Sequence, residues 1–204
     1  MDISSTYGFV LLITCCLFGL INAYGNGRVE SACSTMLPQH GANAQTSTAP
    51  YTLVLSKTTY SANEQITVTL KGSSQFEGVF MQARSGSSAT PLGTFTVTGS
   101  DLQTLTCTSA ASAVSHTSSN LKSSVTTTWV APNINSDVQI RATVVQSEKV
   151  FWTNVLSCTL TYNATSASGT GTSCSSPGNN SVQFSASILV VTLLATMLTW
   201  LLRQ

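Results

Sequence analysis

Hydrophobic residues are unevenly distributed along the chain, and the two longest apolar runs lie at its two ends. The first covers residues 8–23 and the second covers residues 188–202. Between them, apolar and polar residues alternate in short segments bounded by glycine and proline, which is the pattern of β-strands. Segment 65–70 is a clear case, because Ile66, Val68 and Leu70 fall on one face.

These internal segments predict about eight strands and no helix. Residues 109–119 contain several alanines but no apolar face at helical spacing, so a loop is expected there. Residues 150–160 are apolar on both faces, which predicts a central strand. The expected fold is all-β, an antiparallel β-sandwich. The predicted strands are 51–56, 65–70, 79–83, 94–98, 102–108, 124–130, 138–145 and 150–160.

The first apolar run, with its flanks, predicts a secretory signal peptide over residues 1–23. Its core is too short for a comfortable membrane span, and Ala23 provides a small residue at the expected cleavage site. Asp2 is unusual at such a start, and an uncleaved anchor would need a longer core with basic flanks. Residues 24–160 are then the folded domain.

Residues 161–181 are mostly Ser, Thr, Gly and Asn, and predict a flexible stalk. Asn163 and Asn179 each begin a glycosylation sequon.

The hydrophobic tail 182–204 follows small residues and a polar spacer, the order expected of a signal for a glycolipid (GPI) anchor. Asn179 is the favoured attachment residue and Gly178 the competitor; anchor attachment would sever the Asn179 sequon. The alternative for the tail is a single transmembrane helix. Either anchor would place the domain on the extracellular face of the plasma membrane, from which it could also be shed.

Charge and cysteine content narrow the function classes. The chain has 8 Lys and Arg against 7 Asp and Glu, with no basic stripe, so nucleic acid is not an expected partner.

Four cysteines remain after signal removal, which implies two disulfides with three possible pairings in an oxidising compartment. No Cys-x-x-Cys spacing occurs and neither histidine lies near a cysteine, so no zinc site is expected. These cysteines are Cys33, Cys107, Cys158 and Cys174.

The candidates for chemistry have simpler structural interpretations. His40 and His116 lack a nearby third ligand in sequence, so structural roles, with the imidazoles satisfied by loop hydrogen bonds, are expected. Ser115, His116 and Asp101 could be drawn as a catalytic trio, but serine is abundant and no Gly-x-Ser-x-Gly motif is present. Neither a catalytic residue nor a cofactor is therefore expected.

Other notable side chains are also expected to be structural. Trp129 and Trp152 lie in apolar strands and are expected in the core, although either could stack on a sugar. Glu77 and Arg84 are expected to form a solvated pair, beside core residues Phe80 and Met81. Gly78 and Gly93 are expected to serve a bulge or a turn.

Several motifs in order, over roughly residues 33–160, resemble the reeler domain. This module occurs at the start of reelin and spondin-type matrix proteins, in ferric-chelate reductases and in small insect defence proteins. The motifs are the Cys33 lead-in through Pro-Gln-His at 38–40, Tyr-Ser-Ala-Asn-Glu at 60–64, Phe-Glu-Gly-Val-Phe-Met-Gln-Ala-Arg at 76–84, Gly-Thr-Phe at 93–95, Leu-Thr-Cys at 105–107, Ala-Val-Ser-His-Thr at 113–117, Trp-Val-Ala-Pro at 129–132 and Phe-Trp at 151–152.

The resemblance implies an immunoglobulin-like sandwich and a Cys33–Cys107 disulfide, which leaves Cys158 to pair with Cys174. It also implies a non-enzymatic recognition protein. The expected partner is a microbial surface component, in an innate-immune role, or alternatively a host matrix or cell-surface glycan or protein. A third alternative is an accessory or fragment of a ferric-chelate reductase. Haem-based electron transfer across a membrane needs histidine-bearing helices, and the apolar tail contains no histidine.

Overall fold

The computed structural model describes residues 25–165 and 174–175. The signal peptide, Asn179 and the hydrophobic tail lie outside these residues, so their predictions stay predictions. No helix within 25–165 or 174–175 is long and apolar enough to cross a membrane.

Short alternating segments form strands through most of the described chain. One 3-10 helix, Glu30–Ala32, precedes them. The strands are β1 Tyr51–Leu55, β2 Thr59–Tyr60, β3 Gln65–Phe76, β4 Gly78–Arg84, β5 Thr94–Val97, β6 Leu102–Leu105, β7 Ala113–His116, β8 Lys122–Val130, β9 Gln139–Ser147, β10 Val150–Leu156, β11 Thr161–Tyr162 and β12 Cys174–Ser175.

Ten of these strands form two antiparallel five-stranded sheets. Sheet 1 has the order β12-β1-β3-β8-β5, and sheet 2 has the order β10-β9-β4-β7-β6. In sheet 1, Leu53 lies opposite Leu70 and Ile66 opposite Trp129. In sheet 2, Met81 lies opposite Ala142. The strands β2 and β11 form a separate parallel pair.

The main core lies between the two sheets and follows the period-2 pattern of the sequence. The alternating residues Ile66, Val68 and Leu70 of β3 are fully buried, and so are Ile140, Ala142 and Val144 of β9. One continuous hydrophobic cluster contains side chains from both sheets. The ring of Tyr51 in sheet 1 also packs edge-on against Trp152 of sheet 2, with 5.5 Å between ring centroids. The antiparallel β-sandwich is therefore confirmed.

Two strand predictions were wrong. Residues 113–116, expected in a loop, form β7 between β4 and β6. Both faces of this small strand are covered, so its sequence shows no alternation. The strand expected at 150–160 ends at Leu156, and it lies at the edge of sheet 2 within the described residues. Its second face is apolar because the amino-terminal segment covers it, with the His40 ring packing edge-on against Phe151 at 6.2 Å between ring centroids.

The amino-terminal segment, residues 25–49, packs on the outer face of sheet 2. Met36 joins Phe80, Leu105 and Ala113 in a second hydrophobic cluster, separate from the main core. This explains why all seven residues of β4 are buried, because alternate side chains face the main core and the second cluster. The Cys33–Cys107 disulfide attaches the segment covalently to the end of β6.

The carboxyl-terminal part of the domain packs against sheet 1 and against β2. Cys158 is bonded to Cys174, and β12 pairs with β1. Both disulfides are the pairs that the family resemblance implies. In β11, Tyr162 packs edge-on against Tyr60, with ring centroids 5.4 Å apart. The stalk predicted from residue 161 therefore does not begin there: residues 161–162 and 174–175 belong to the sandwich, because Tyr162 and Cys174 pack against its core.

Candidate functional site

A cavity of about 280 Å³ lies between the amino-terminal segment and the outer face of sheet 2. Both surfaces contribute apolar side chains. Residue types of this kind and a volume of this order are typical of small-molecule sites. The apolar lining includes Val29, Ala32, Met36, Val79, Phe80 and Val145.

The polar lining is acidic and contains both histidines. Glu77 is half-buried and Glu148 is exposed, and no Lys or Arg lines the cavity. Within residues 25–165 and 174–175, the single side-chain ion pair is Lys57–Glu64, so neither cavity carboxylate is in ion-pair contact there. His40 is half-buried, and its Nδ1 atom is buried without a hydrogen-bond partner.

His40 and His116 are 76 positions apart in sequence, yet the fold brings both to this cavity. The prediction that loop hydrogen bonds satisfy His40 was wrong for its Nδ1 atom. Among the described residues, no group of three or more His, Cys, Asp or Glu side chains could hold a metal ion. The shared cavity could not be inferred from sequence, because its two walls come from distant segments.

His116 is held by the backbone of β4. Its Nδ1 lies 3.2 Å from the amide nitrogen of Val79 and 3.1 Å from the Val79 carbonyl oxygen. The Ser115 hydroxyl donates to that same carbonyl at 3.0 Å. The Val79 amide N–H donates to Nδ1, so we assign Nδ1 as the unprotonated, acceptor nitrogen of the ring.

The supposed catalytic trio is not arranged for nucleophilic attack. Ser115 is fully buried, and its hydroxyl is used in the bond to Val79 although Oγ lies 3.3 Å from His116 Nδ1. The backbone carbonyl of Asp101 accepts from the Thr117 amide at 3.0 Å, which is a strand-end contact. These residues therefore organise strands β4, β6 and β7.

Two glycines make room for His116. A Cβ atom on Gly78 would lie 3.1 Å from His116 Cε1, and one on Gly27 would lie 1.8 Å from the His116 carbonyl oxygen. Gly27 also has φ of 67°, where glycine is favoured. Gly78 therefore serves close packing and not the expected bulge or turn. Gly93 does occupy a turn conformation, with φ of 68°.

A buried lysine shapes the loop beside the cavity. Lys122 Nζ donates to the carbonyl oxygens of Ser118 at 2.7 Å, Asn120 at 2.6 Å and Glu77 at 3.2 Å. Burial lowers the pKa of Lys122, and the charges of Asp101 and Glu77 oppose this effect. Three carbonyl acceptors make burial of this ammonium possible.

The predicted solvated pair of Glu77 and Arg84 was wrong. Arg84 is buried, and its Nη2 donates to the carbonyl oxygens of Cys33 at 2.6 Å and Ser34 at 3.0 Å. Its Nε donates to Gln82 Oε1 at 2.8 Å. The guanidinium thus holds the amino-terminal segment on sheet 2, which charge patterning could not indicate.

Trp129 and Trp152 are core residues, as predicted. Trp129 is fully buried and Trp152 is nearly so. Trp129 Nε1 donates to the Leu92 carbonyl at 2.9 Å, so both indole N–H groups are satisfied within the domain.

The motif at residues 60–64 forms a turn. The Glu64 carboxylate accepts hydrogen bonds from the Ser61 amide, at 2.8 Å, and from Lys57. Burial acts to raise the pKa of Glu64, but these hydrogen bonds outweigh it and the pKa lies below its ordinary value. Asn63 adopts a left-handed conformation with φ of 63°.

The sequon asparagine Asn163 is exposed just after β11. Its side-chain oxygen accepts hydrogen bonds from the Thr165 amide at 3.1 Å and from the Thr165 hydroxyl at 2.8 Å. Its side chain lies at the surface, where a glycan can be accommodated.

This architecture is a disulfide-linked antiparallel β-sandwich with a cavity under its amino-terminal segment. The family model of the Reeler domain matches residues 31–168. The chain belongs to the Reeler domain family.

Curated relatives fall into two groups. The chain is 44% identical over 167 residues to "Putative ferric-chelate reductase 1" of Danio rerio, covering 79% of this chain and 29% of that protein. It is 31% identical over 160 residues to "Putative defense protein Hdd11" of Hyphantria cunea, covering 74% of this chain and 93% of that protein. The chain thus spans less than a third of the length of this reductase relative, but nearly all of the defence protein.

Among solved structures, the Reelin-N domain of F-spondin is similar, with a TM-score of 0.52 and 16% sequence identity. The match covers 67% of this chain and 99% of that domain. This similarity concerns the fold.

Proposed function

We propose that this protein is a non-enzymatic recognition protein on the extracellular face of the plasma membrane. We propose that it binds its ligand in the cavity under the amino-terminal segment. The cavity itself carries this proposal. It is lined by apolar side chains from two elements, whereas Ser115, the serine next to His116, is buried and its hydroxyl donates to the Val79 carbonyl. Binding needs a shaped cavity, and catalysis would also need an available reacting group.

The proposed biological role is innate-immune defence, with a microbial surface component as partner. The relation to the defence protein supports it, because the aligned region makes up 93% of that relative. A domain of this kind is thus nearly the whole of a protein named for defence. The adhesion alternative, with a host matrix or cell-surface glycan or protein as partner, remains the competing role for the same site.

A role beside a ferric-chelate reductase is the second candidate function. The 44% identity to the reductase relative favours it. On this proposal the chain would supply the domain that corresponds to under a third of that protein. A Soret absorption band in the purified protein would support the reductase role, and its absence under reducing and oxidising conditions would count against bound haem.

Surface attachment belongs to the same proposal. We propose a cleaved signal peptide over residues 1–23, a glycan on Asn163 and a glycolipid anchor on Asn179, with a transmembrane helix over 182–204 as the alternative. Release of the protein from cells by a phosphatidylinositol-specific phospholipase C would support the anchor. Retention after that treatment would favour the helix.

The test of function compares how the unmodified protein and variants with a blocked cavity bind to cell and matrix surfaces. The full chain, expressed through a secretory pathway, is offered to whole bacteria, to animal matrix and to animal cells. Ser31→Trp and Ser119→Trp place a large side chain at exposed positions of the cavity lining. Ser87→Trp, at an exposed serine outside the lining, is the matched control.

Saturable binding to bacteria that both blocking variants lose, and the control keeps, is the expected result. Binding to matrix or host cells alone would replace defence with adhesion. Binding that is equal in all variants would refute the cavity as the recognition site.

A further inference from the structure

The chemistry of the cavity wall limits the ligand more narrowly than its volume does. Its charged residues are Glu77 and Glu148, and no Lys or Arg joins them. A carboxylate or phosphate group entering this site would meet two like charges in the wall. The adjacent cation, Lys122, lies outside the lining, and its ammonium donates to three backbone carbonyl oxygens. A cationic group would meet complementary charge.

The remaining polar lining consists of serine, threonine, glutamine and histidine side chains. His40 Nδ1 has no hydrogen-bond partner. Because this atom is buried, the charged acceptors that the cavity wall presents to a ligand are the Glu77 and Glu148 carboxylates, around an apolar interior.

The apolar part of the ligand follows from the volume and the lining. An apolar cavity of about 150 Å³ accommodates one benzene molecule. A cavity of about 280 Å³ thus suits a body of roughly a dozen non-hydrogen atoms. Leu37 lines the cavity with 46% of its surface exposed, which extends apolar surface toward the opening.

From these features we infer that the cavity binds a small amphiphile whose aromatic or aliphatic body carries a protonated amine. The body packs against Val29, Phe80 and Val145, and the amine lies at the acidic part of the wall formed with Glu77 and Glu148. This inference rests on the proposed recognition function and names the ligand class of the same cavity.

Three probes of almost equal size share the same apolar body and differ in the head group, so they distinguish the two contributions to affinity. They are 3-phenylpropylamine, 3-phenylpropan-1-ol and 3-phenylpropanoate, and their affinities for the full chain are measured by ligand-observed NMR titration at pH 7.5. An alkylamine is protonated at this pH. The amine is expected to bind about two- to fivefold more tightly than the alcohol, as a partly exposed charge contact warrants, and the carboxylate more weakly than both.

Two sets of variants locate the site. Glu77→Gln combined with Glu148→Gln is expected to reduce the amine-to-alcohol affinity ratio to about one, while the alcohol still binds. Glu30→Gln combined with Asp137→Asn changes the net charge equally at exposed positions outside the lining, and is expected to leave the ratio unchanged. Ser119→Trp and Ser31→Trp are expected to remove binding of all three probes, whereas Ser87→Trp does not.

Equal or tighter binding of the carboxylate would overturn the inference, as would absence of amine binding. Amine binding that persists in both tryptophan variants would overturn the location. If those variants lose surface binding but the amine series fails, the recognition site stands and the ligand class is wrong. If the amines bind as expected but no surface is recognised, the proposed function is wrong and the ligand class stands.

Discussion

The guanidinium of Arg84 donates a 2.6 Å hydrogen bond to the backbone carbonyl of Cys33, so a buried cation holds the residue that also forms the first disulfide. Gln82 Nε2 donates to the same carbonyl at 3.0 Å. The amino-terminal wall of the cavity is therefore positioned by a covalent bond and by hydrogen bonds that meet at one residue.

Replacing Arg84 tests the strength of this attachment. Arg84→Met should reduce the free energy of unfolding by about 2–3 kcal/mol, because buried carbonyl oxygens lose their donors. Arg141→Met is the matched control, since Arg141 donates one partly exposed hydrogen bond to the Gly86 carbonyl. Its expected cost is about 0.5 kcal/mol. Urea unfolding followed by tryptophan fluorescence measures both; equal stability of the two variants would contradict the role of Arg84.

The two disulfides should differ in how much they stabilise the domain and in which backbone amides they protect from hydrogen exchange. Removing Cys33–Cys107, whose cysteines are 74 positions apart, should cost about 4 kcal/mol in the chain-entropy model, against about 3 kcal/mol for Cys158–Cys174, which are 16 apart. Paired Cys→Ser variants and unfolding midpoints measure this. Hydrogen exchange should speed up around residues 29–40 only in the first variant. Similar protection there in both variants would show that the other contacts suffice.

Alkaline pH should destabilise the domain through Tyr60. Burial raises the pKa of Tyr60 above its ordinary value of 10.0, so the folded state keeps the phenol neutral while the unfolded state ionises. The stability contributed is complete below pH 10 and is lost as pH rises through the higher folded pKa. Tyr60→Phe should flatten the decline in unfolding free energy above pH 10. An unchanged slope in Tyr60→Phe would contradict the assignment.

The same Tyr60→Phe variant should also be less stable at neutral pH. The Tyr60 hydroxyl lies 2.8 Å from the Ile134 carbonyl and 2.7 Å from the Ser136 carbonyl. Its removal leaves these acceptors without that donor, at an expected cost of about 1–2 kcal/mol. Thermal unfolding at pH 7 measures the loss, and a gain in stability would show that burial of the hydroxyl is unfavourable.

Asn63 offers a test of backbone conformation at the turn of residues 60–64. Its φ of 63° is unfavourable for alanine and accessible to glycine. Asn63→Ala should therefore be less stable than Asn63→Gly by about 1 kcal/mol. Chemical unfolding of both variants decides this, and the reverse order would mean that side-chain contacts outweigh the backbone effect.

Glycosylation should occupy Asn163 when the chain passes through a eukaryotic secretory pathway. Asn163→Gln and Thr165→Ala should each lower the intact mass by one N-glycan, because both residues are needed for the sequon. Asn133→Gln, another exposed asparagine outside any sequon, should leave the mass unchanged. An unmodified Asn163 in the native protein would contradict the assignment.

The sequence predicts the sandwich well where a strand has one covered face and one open face. Ile66 illustrates this, since it begins a run of alternating buried residues in β3. Such alternation can be read from the sequence of the strand itself, because successive side chains point to opposite faces whichever strands lie beside it.

The regions that sequence misassigned are covered on both faces or depend on distant contacts. Val114 belongs to a strand that lies between two others, and its short segment carries no alternation. Phe151 lies on an edge strand that looks central, because the Gln45 amide bonds its carbonyl at 2.8 Å and His40 packs edge-on against its ring. Arg84 was assigned to solvent by its charge, since its carbonyl acceptors are about 50 residues away in sequence.

The pairing of β12 with β1 and of β11 with β2 sets an order on folding during synthesis. Cys33 can meet Cys107 as soon as the latter has emerged, so the amino-terminal segment can be secured while the chain is still growing. The outer edge of β1 stays open until Cys174 has been made, more than a hundred residues later. Sheet 1 is therefore completed last, and a nascent chain exposes that edge to other strands until its final cysteine arrives.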